Sequence, residues 1–399
     1  MPDDSQVQPN AAVSKYLKDL QSDDLLLTLA WEDWLQIDAP NADGKFAVSD
    51  VTTRYHRNGY DWVMHAKLYT PETERDPNLG FFAIHGGAGS ANNMDHTPDG
   101  RPGLARVLAA QGIKTLSCSF TGHYPPNNDW KLPVAERQPL YLFDEEIPLE
   151  ETLDRNLKCT FNVNMQGAAQ LIEEHLAGRR VLAFGHSTGG PMAALLHKWT
   201  TTAQIIGLPG FGSGGPDGWK REWSASINAM PDGFEIDEVS RRSVKTYKSA
   251  GYEDPEDLCP WGGPEPYMKW ADANKSQMKT ALCDNQHNGN YDKLDQVIEK
   301  TGLPHDEYFD HFGDPDPAWL KSASVLLIAG ENDKGHWVKG GDVLDNKREM
   351  FFANKYRAAG AKRVHVLMVP RYGHVGYAEL YNEKFAYLWL WAYKNGYFS

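Results

Sequence analysis

Gly185-His186-Ser187-Thr188-Gly189 is a G-x-S-x-G pattern that follows a short apolar run. A serine in a sharp turn between a strand and a helix has an exposed hydroxyl that can act as a nucleophile. Such a turn forces strained backbone angles on the serine, so its neighbours on either side must be glycine-sized. The pattern predicts a nucleophilic Ser187. The alternative is a glycine-rich turn of purely structural use.

A serine hydroxyl needs a base to accept its proton and a third group to orient that base. His374, in "VPRYGHVGY", lies just past the last predicted strand and is the candidate base. "VLLIAGENDKGH" ends another strand and offers two acids, Glu331 and Asp333. We choose Asp333, because two further residues carry it over the strand tip toward His374. Glu331 is the alternative acid, and a surface-loop role is the alternative for His374.

Acyl transfer also needs hydrogen-bond donors for the developing oxyanion. The stretch "AIHGGAGS" follows a buried apolar strand, and its glycines can present backbone N–H groups. Gly87 and Ala88 are the candidate donors there, with the N–H of Thr188 as a further donor. The alternative is that these glycines only permit a tight turn.

The elements that would position these groups alternate between buried strands and helices. Continuous apolar runs separated by helical segments predict parallel strands joined by crossovers. A hairpin around Asn58-Gly59 opens the sheet, because both residues tolerate the positive φ of a type I′ turn. Residues 12–36 show helical periodicity ahead of it. The predicted strands after the hairpin are "GFFAIHGG", "IKTLSCSF", "RRVLAFG", "AQIIGLPG", "ASVLLIAG" and "RVHVLMVP".

Three regions follow from this alternation. Residues 1–44 are an N-terminal helical extension, and residues 45–209 together with 321–399 form an α/β core. Residues 210–320 interrupt the core with a tryptophan-rich, Gly- and Pro-containing segment that we interpret as a cap. Its Trp219 and Trp223 are candidate substrate-binding residues, together with His186; the alternative for the tryptophans is a small cap core.

In this order, the HGG stretch, "GHSTGG", the "GEND" strand end and the final "GH" resemble the α/β-hydrolase superfamily. The resemblance extends from Phe81 to the C-terminus. It implies a mostly parallel, eight-stranded sheet flanked by helices, with a cap insertion. It also implies a Ser187, His374 and Asp333 triad, with an oxyanion hole at Gly87, Ala88 and Thr188. The HGG stretch departs from the fuller HGGG run of many lipases and esterases.

The resemblance implies a serine hydrolase that cleaves a carboxylic ester, or a lactone, of a small to medium organic molecule through an acyl-enzyme. The same triad also serves amidases, C–C bond hydrolases and acyltransferases. A non-catalytic ligand receptor with this fold is a further alternative. We expect a small-molecule ester as the partner and allow for a homo-oligomer.

The composition excludes other classes. A net charge of −14 argues against nucleic-acid binding, and no apolar stretch is long enough for a membrane span. Four cysteines without CxxC spacing are expected to be buried thiols, with a disulfide only in a secreted protein. The first residues lack a signal-peptide pattern, so we expect a cytoplasmic protein, or a secreted one if a leader has been removed.

The sequence calls for no cofactor and no metal. The run "HDEYFDH" at residues 305–311 carries side chains that can bind metals, but we interpret it as a solvated helix face. Gly210, Gly212 and Gly215 form a G-x-G-x-x-G pattern that no helix follows, so we interpret it as a cap hinge.

Overall fold

A single sheet with helices on both faces organises the described part of the chain. The computed structural model describes residues 8–41, 43–86, 90–121, 154–155, 157–187, 189–212, 294–304, 307, 314–331, 333 and 348–399. Within these residues the strands are β1 (Leu26–Thr28), β2 (Phe46–Arg57), β3 (Tyr60–Pro71), β4 (Leu79–Ile84), β5 (Lys114–Cys118), β6 (Arg180–His186), β7 (Gln204–Phe211), β8 (Ser324–Gly330) and β9 (Arg363–Val369). The helices are α1 (Ala11–Asp19), α2 (Trp31–Leu35), α3 (Leu104–Ala110), α4 (Phe161–His175), α5 (Gly189–Leu195), α6 (Leu294–Thr301), α7 (Pro317–Leu320), α8 (Arg348–Ala358) and α9 (Glu383–Lys394).

The nine strands lie in the order β1-β9-β8-β7-β6-β4-β5-β3-β2. All pairings from β5 across to β1 are parallel, whereas β3 pairs antiparallel with both β2 and β5. Every residue of β4 and β8 is buried, as expected for parallel strands covered on both faces. The sheet is therefore mixed and mostly parallel, which confirms the predicted fold class.

The chain reverses its direction across the sheet at β4. It runs from β4 to β5 on one side and then returns to β6 on the other side of β4. In open α/β sheets, ligands bind outside the carboxyl ends of the strands at such a switch point. The loops that follow β4 and β6 therefore lie where a site is expected.

The β2–β3 hairpin turns through two residues. Asn58 has φ 55° and Gly59 has φ 80°, and Arg57 pairs with Tyr60 across the turn. A type I′ turn requires a positive φ at both central positions, and this pair supplies it. The predicted hairpin is confirmed.

The N-terminal extension is only partly helical. Helices α1 and α2 form within residues 12–36, but β1 separates them and pairs parallel with β9, where Leu26 lies opposite Val366. The backbone N–H of Val366 also donates to the carbonyl oxygen of Leu25 at 2.8 Å. The edge of β9 supplies hydrogen-bond partners for Leu26–Thr28, and the helical periodicity of the sequence does not reveal this pairing. This strand is the ninth, one more than the eight expected.

Two apolar cores lie on the two faces of the sheet. One joins α9 and the N-terminal extension, with Trp34 and Trp389 fully buried, and the other packs α4 and α8 against the opposite face. Among the described residues, no helix has both the length and the apolarity to cross a membrane. Most of residues 210–320 lies outside the described residues, so the cap boundaries stay predictions.

Candidate active site

Ser187 occupies a strained turn directly after β6. Its φ is 49°, in the left-handed region that residues other than glycine rarely adopt. The backbone N–H of Gly190 donates to the carbonyl oxygen of Ser187 at 3.0 Å, where α5 begins. A non-glycine residue held at such angles costs about 1–3 kcal/mol and occurs most often at functional sites.

The glycines around Ser187 allow the strand and the helix to approach each other. A Cβ on Gly189 would lie 2.6 Å from the carbonyl oxygen of His85 and 2.8 Å from the side chain of Ile84. A Cβ on Gly185 would overlap the backbone of Gly189. The predicted need for glycine-sized neighbours is confirmed, because any side chain here would push α5 away from the sheet.

Asp333 and His374 meet beyond the ends of β8 and β9. Nδ1 of His374 lies 2.7 Å from Oδ2 of Asp333. The Asp333 side chain is only 3% exposed and the His374 side chain is 23% exposed. When the carboxylate accepts a hydrogen bond from Nδ1–H of neutral His374, Nε2 keeps a lone pair that can accept a proton. This is the tautomer that a general base requires.

Glu331, the alternative acid, lies elsewhere. Its Oε2 accepts a hydrogen bond from the backbone N–H of Arg371 at 3.0 Å. Glu331 is exposed, whereas Asp333 is buried. The structure therefore brings Asp333 to the imidazole of His374 and uses Glu331 to hold the chain just before it.

His186 links the serine turn to the histidine. Its Nε2 lies 2.9 Å from the carbonyl oxygen of His374, to which it donates, and the two imidazole rings are 4.8 Å apart. The ring of Tyr377 packs edge-on against His186 at 4.6 Å. Since His186 immediately precedes Ser187, this bond fixes the backbone of the base relative to the turn of the nucleophile.

Gly86 and Gly212 bring backbone close to these rings. A Cβ on Gly86 would lie 2.6 Å from Nδ1 of His186 and 3.0 Å from Cβ of Ser187. A Cβ on Gly212 would lie 2.9 Å from Nδ1 of His374. The end of β4 and the end of β7 therefore flank the site, in agreement with the switch point at β4.

His85 holds the start of the predicted oxyanion loop. Its Nδ1 donates to the carbonyl oxygen of Gly86 at 2.5 Å, and its Nε2 accepts the backbone N–H of Phe120 at 3.1 Å. The ring is fully buried and joins the ends of β4 and β5. Other predicted site residues lie outside the described residues, namely Gly87, Ala88, Thr188, Trp219 and Trp223.

Sequence reasoning missed Glu379. Its buried Oε1 accepts a hydrogen bond from the backbone N–H of Gly373 at 3.0 Å, so Glu379 holds the residue that directly precedes His374. No motif marks this glutamate, since its role depends on how the loop folds back. His186 was predicted to bind substrate, but the structure places it 4% exposed, with Nε2 directed at a backbone carbonyl.

In the described part of the chain, no three His, Cys, Asp or Glu side chains lie close enough together to hold a metal ion. Only Glu307 of the run at residues 305–311 is described, and its carboxylate accepts hydrogen bonds from Arg57 at 2.6 and 2.5 Å. Cys118 and Cys159 are buried free thiols, whereas Cys259 and Cys283 lie outside the described residues.

Comparison with known proteins finds similarity in structure. No protein-family model and no curated protein matches the sequence. Similar solved structures include a probable hydrolytic enzyme from Pseudomonas aeruginosa PAO1, 16% identical over 83% of this chain and 90% of its own, with a TM-score of 0.43. A lipase in its open form is 15% identical over 88% of this chain and 100% of its own, with a TM-score of 0.46. A loop variant of a haloalkane dehalogenase from Bradyrhizobium elkanii is 12% identical over 88% of this chain and 97% of its own, with a TM-score of 0.47.

The features of this chain itself identify its fold. Ser187, Asp333 and His374 follow β6, β8 and β9, and Ser, Asp, His is the chain order typical of α/β-hydrolases. The left-handed serine lies in a strand-to-helix turn next to the switch point at β4. The chain has the fold of the α/β-hydrolase superfamily.

Proposed function

We propose that the protein is a serine hydrolase that cleaves a carboxylic ester or lactone of small to medium size. The observation that carries the proposal is the buried carboxylate of Asp333 at 2.7 Å from Nδ1 of His374, beside the strained turn of Ser187. A buried aspartate that accepts a hydrogen bond from Nδ1 of a histidine can orient the imidazole and stabilise it when it becomes charged.

The proposed reaction begins at the Ser187 hydroxyl. Its oxygen attacks the ester carbonyl while Nε2 of His374 accepts the hydroxyl proton. Asp333 stabilises the resulting imidazolium without taking up the proton. The imidazolium then gives the proton to the leaving alkoxide, and the acyl group stays on Ser187. A water molecule, activated by His374, attacks this acyl-enzyme and releases the acid.

We place the oxyanion donors at the backbone N–H groups of Gly87, Ala88 and Thr188. Two observations support this choice. Gly86, the residue before the loop, packs beside Cβ of Ser187, and His85 fixes the Gly86 carbonyl. One such donor is worth about 10²- to 10³-fold in kcat. Gly86 and Ser187 precede the proposed donors Gly87 and Thr188, and their carbonyl oxygens accept hydrogen bonds from His85 Nδ1 and from the backbone N–H of Gly190.

The substrate would bind between the sheet edge and the insertion at residues 210–320. We propose that Trp219 and Trp223, whose side chains are apolar and aromatic, contact the acyl or alcohol part of the substrate. The length of this insertion favours a defined small molecule over a polymer chain as the substrate.

A fluorophosphonate probe tests the proposal without knowledge of the substrate. We expect it to label wild-type protein at Ser187, with the labelled peptide identified by mass spectrometry. Ser187→Ala should not be labelled. Ser322→Ala is the matched control, because Ser322 is exposed and bonds only locally to the carbonyl oxygen of Trp319, so its labelling should equal that of wild type.

A panel of p-nitrophenyl esters and p-nitroanilides then distinguishes the bond type. Ester turnover that disappears in Ser187→Ala supports the proposal. Cleavage of the anilides at comparable rates would replace it with an amidase. Wild-type protein that is neither labelled nor active on any ester would refute it.

A further inference from the structure

The N-terminal extension contacts the segment that carries the base. We call residues 370–382, which follow β9, the histidine loop. Helix α2 of the extension lies against this loop, and β1 pairs with β9, the strand that leads into it. In the sheet, β1 of the extension lies next to β9, on the side away from β8 and β6, the strands that precede Asp333 and Ser187.

One hydroxyl joins the extension to both sides of His374. Nε1 of Trp34 donates to the hydroxyl of Tyr372 at 3.0 Å, and that hydroxyl donates to the carbonyl oxygen of Leu380 at 2.6 Å. Trp34 and Tyr372 are both fully buried. The hydroxyl therefore closes the histidine loop on itself, and the indole N–H holds this closure from the extension.

Trp31 makes a second contact at the same two places. Its ring lies 4.8 Å from the guanidinium of Arg371 and 6.0 Å, edge-on, from the ring of Tyr381. Arg371 precedes His374 by three residues and Tyr381 follows it by seven. The extension thus contacts the loop on both sides of the base at two tryptophans.

We propose that Trp34, acting through Tyr372, is a positioning residue that holds the imidazole of His374 between Asp333 and Ser187. This inference rests on the proposed function, because it assigns the extension a part in the same reaction. Glu379 and His186 hold the loop from other sides, so the loss of the Trp34 bond loosens the loop without releasing it.

The effect should fall on catalysis and not on binding. A misplacement of about 1 Å in a reacting group lowers a rate by about 10²-fold. Trp31 and Trp34 contact the histidine loop itself, whereas the tryptophans proposed to contact the substrate belong to the insertion. We therefore expect a lower kcat with an unchanged KM.

Two conservative variants test the proposal in the full-length chain. Tyr372→Phe removes only the hydroxyl, and Trp34→Phe removes the indole N–H while keeping an aromatic ring against Phe385. With p-nitrophenyl butyrate as the probe, we expect Tyr372→Phe to lower kcat roughly tenfold to hundredfold and Trp34→Phe roughly tenfold. The rate of fluorophosphonate labelling should fall in parallel, and the acid limb of the pH profile of this labelling rate should shift.

Tyr16→Phe is the matched control. Tyr16 lies in the same extension and donates to the carbonyl oxygen of Leu388 in α9 at 3.3 Å, away from the histidine loop. It loses the same kind of bond between the extension and the core. Its melting temperature should fall as in Trp34→Phe, while its kcat and labelling rate stay at the wild-type values.

The outcomes are distinct. Folded Trp34→Phe and Tyr372→Phe proteins with wild-type kcat and labelling at every pH would overturn the inference while the proposed function stands. If Tyr372→Phe does not fold, Trp34→Phe decides alone. A tenfold loss in Tyr16→Phe would also overturn it, since the effect would then be one of general stability. An unlabelled wild type would overturn the proposed function and this inference together.

Discussion

Replacing Asp333 with asparagine removes one charge beside His374 and changes little else. Oδ2 of Asp333 lies 2.7 Å from Nδ1 of His374, and the carboxylate is almost fully buried. Opposite unit charges about 4 Å apart attract by about 4 kcal/mol at an effective dielectric constant of 20. In the proposed reaction the imidazolium forms in the transition state, so Asp333→Asn should lose this attraction there.

A loss of about 4 kcal/mol corresponds to a fall of about 10³-fold in kcat/KM. An amide that presents its NH₂ to Nδ1 also selects the wrong tautomer, which extends the loss to about 10⁴-fold. The assay is hydrolysis of p-nitrophenyl butyrate, with fluorophosphonate labelling as a second readout. We expect the melting temperature to change far less than the rate.

Glu331→Gln is the matched control for Asp333→Asn. It makes the same carboxylate-to-amide change two residues away, and its amide oxygen still accepts the N–H of Arg371. We expect its kcat/KM to stay within about twofold of wild type, as for surface changes without lost contacts. An Asp333→Asn variant within tenfold of wild type, or an equal loss in Glu331→Gln, would refute the reasoning.

Two further predictions concern stability. Gly189→Ala should lower the free energy of unfolding by about 3 kcal/mol in urea melts, because its Cβ would lie 2.6 Å from the carbonyl oxygen of His85; an unchanged midpoint would contradict this. Burial lowers the pKa of His197 to about 4, while Nδ1 donates to the carbonyl oxygen of Ala194 and the ring stacks on Trp319 at 3.9 Å. In the unfolded chain the pKa of His197 is near 6.5, so between about pH 6.5 and pH 4 the unfolded chain binds a proton there and the folded chain does not. The free energy of unfolding should therefore fall by about 3 kcal/mol from about pH 6.5 to pH 4. Urea melts across this range should show a flatter pH dependence for His197→Gln, and equal slopes would contradict the assignment.

The meeting of Asp333 with His374 could be predicted because each follows an apolar strand. Carboxyl ends of neighbouring parallel strands lie at one edge, and β8 and β9 are direct neighbours. The same argument covers Ser187 after β6. These inferences need only the order of the strands along the chain and the direction in which each strand runs.

The groups that hold the site could not be predicted in the same way. Trp34 and Tyr372 are 338 residues apart, and no local pattern relates a tryptophan in an extension to a tyrosine near the C-terminus. Glu379 acts through a turn whose path depends on packing. Residues 12–36 are not helical throughout for a related reason, because Leu26–Thr28 pairs as a strand with the edge of β9.

The pairing of β1 with β9 should also disfavour association between copies of the chain through the edge of the sheet. An uncovered strand edge presents a row of unpaired N–H and C=O groups to any other extended chain. β1 occupies part of that row on β9 and, at three residues, offers a poor template for further pairing. Removing residues 1–41 should therefore promote intermolecular association through the exposed β9 edge.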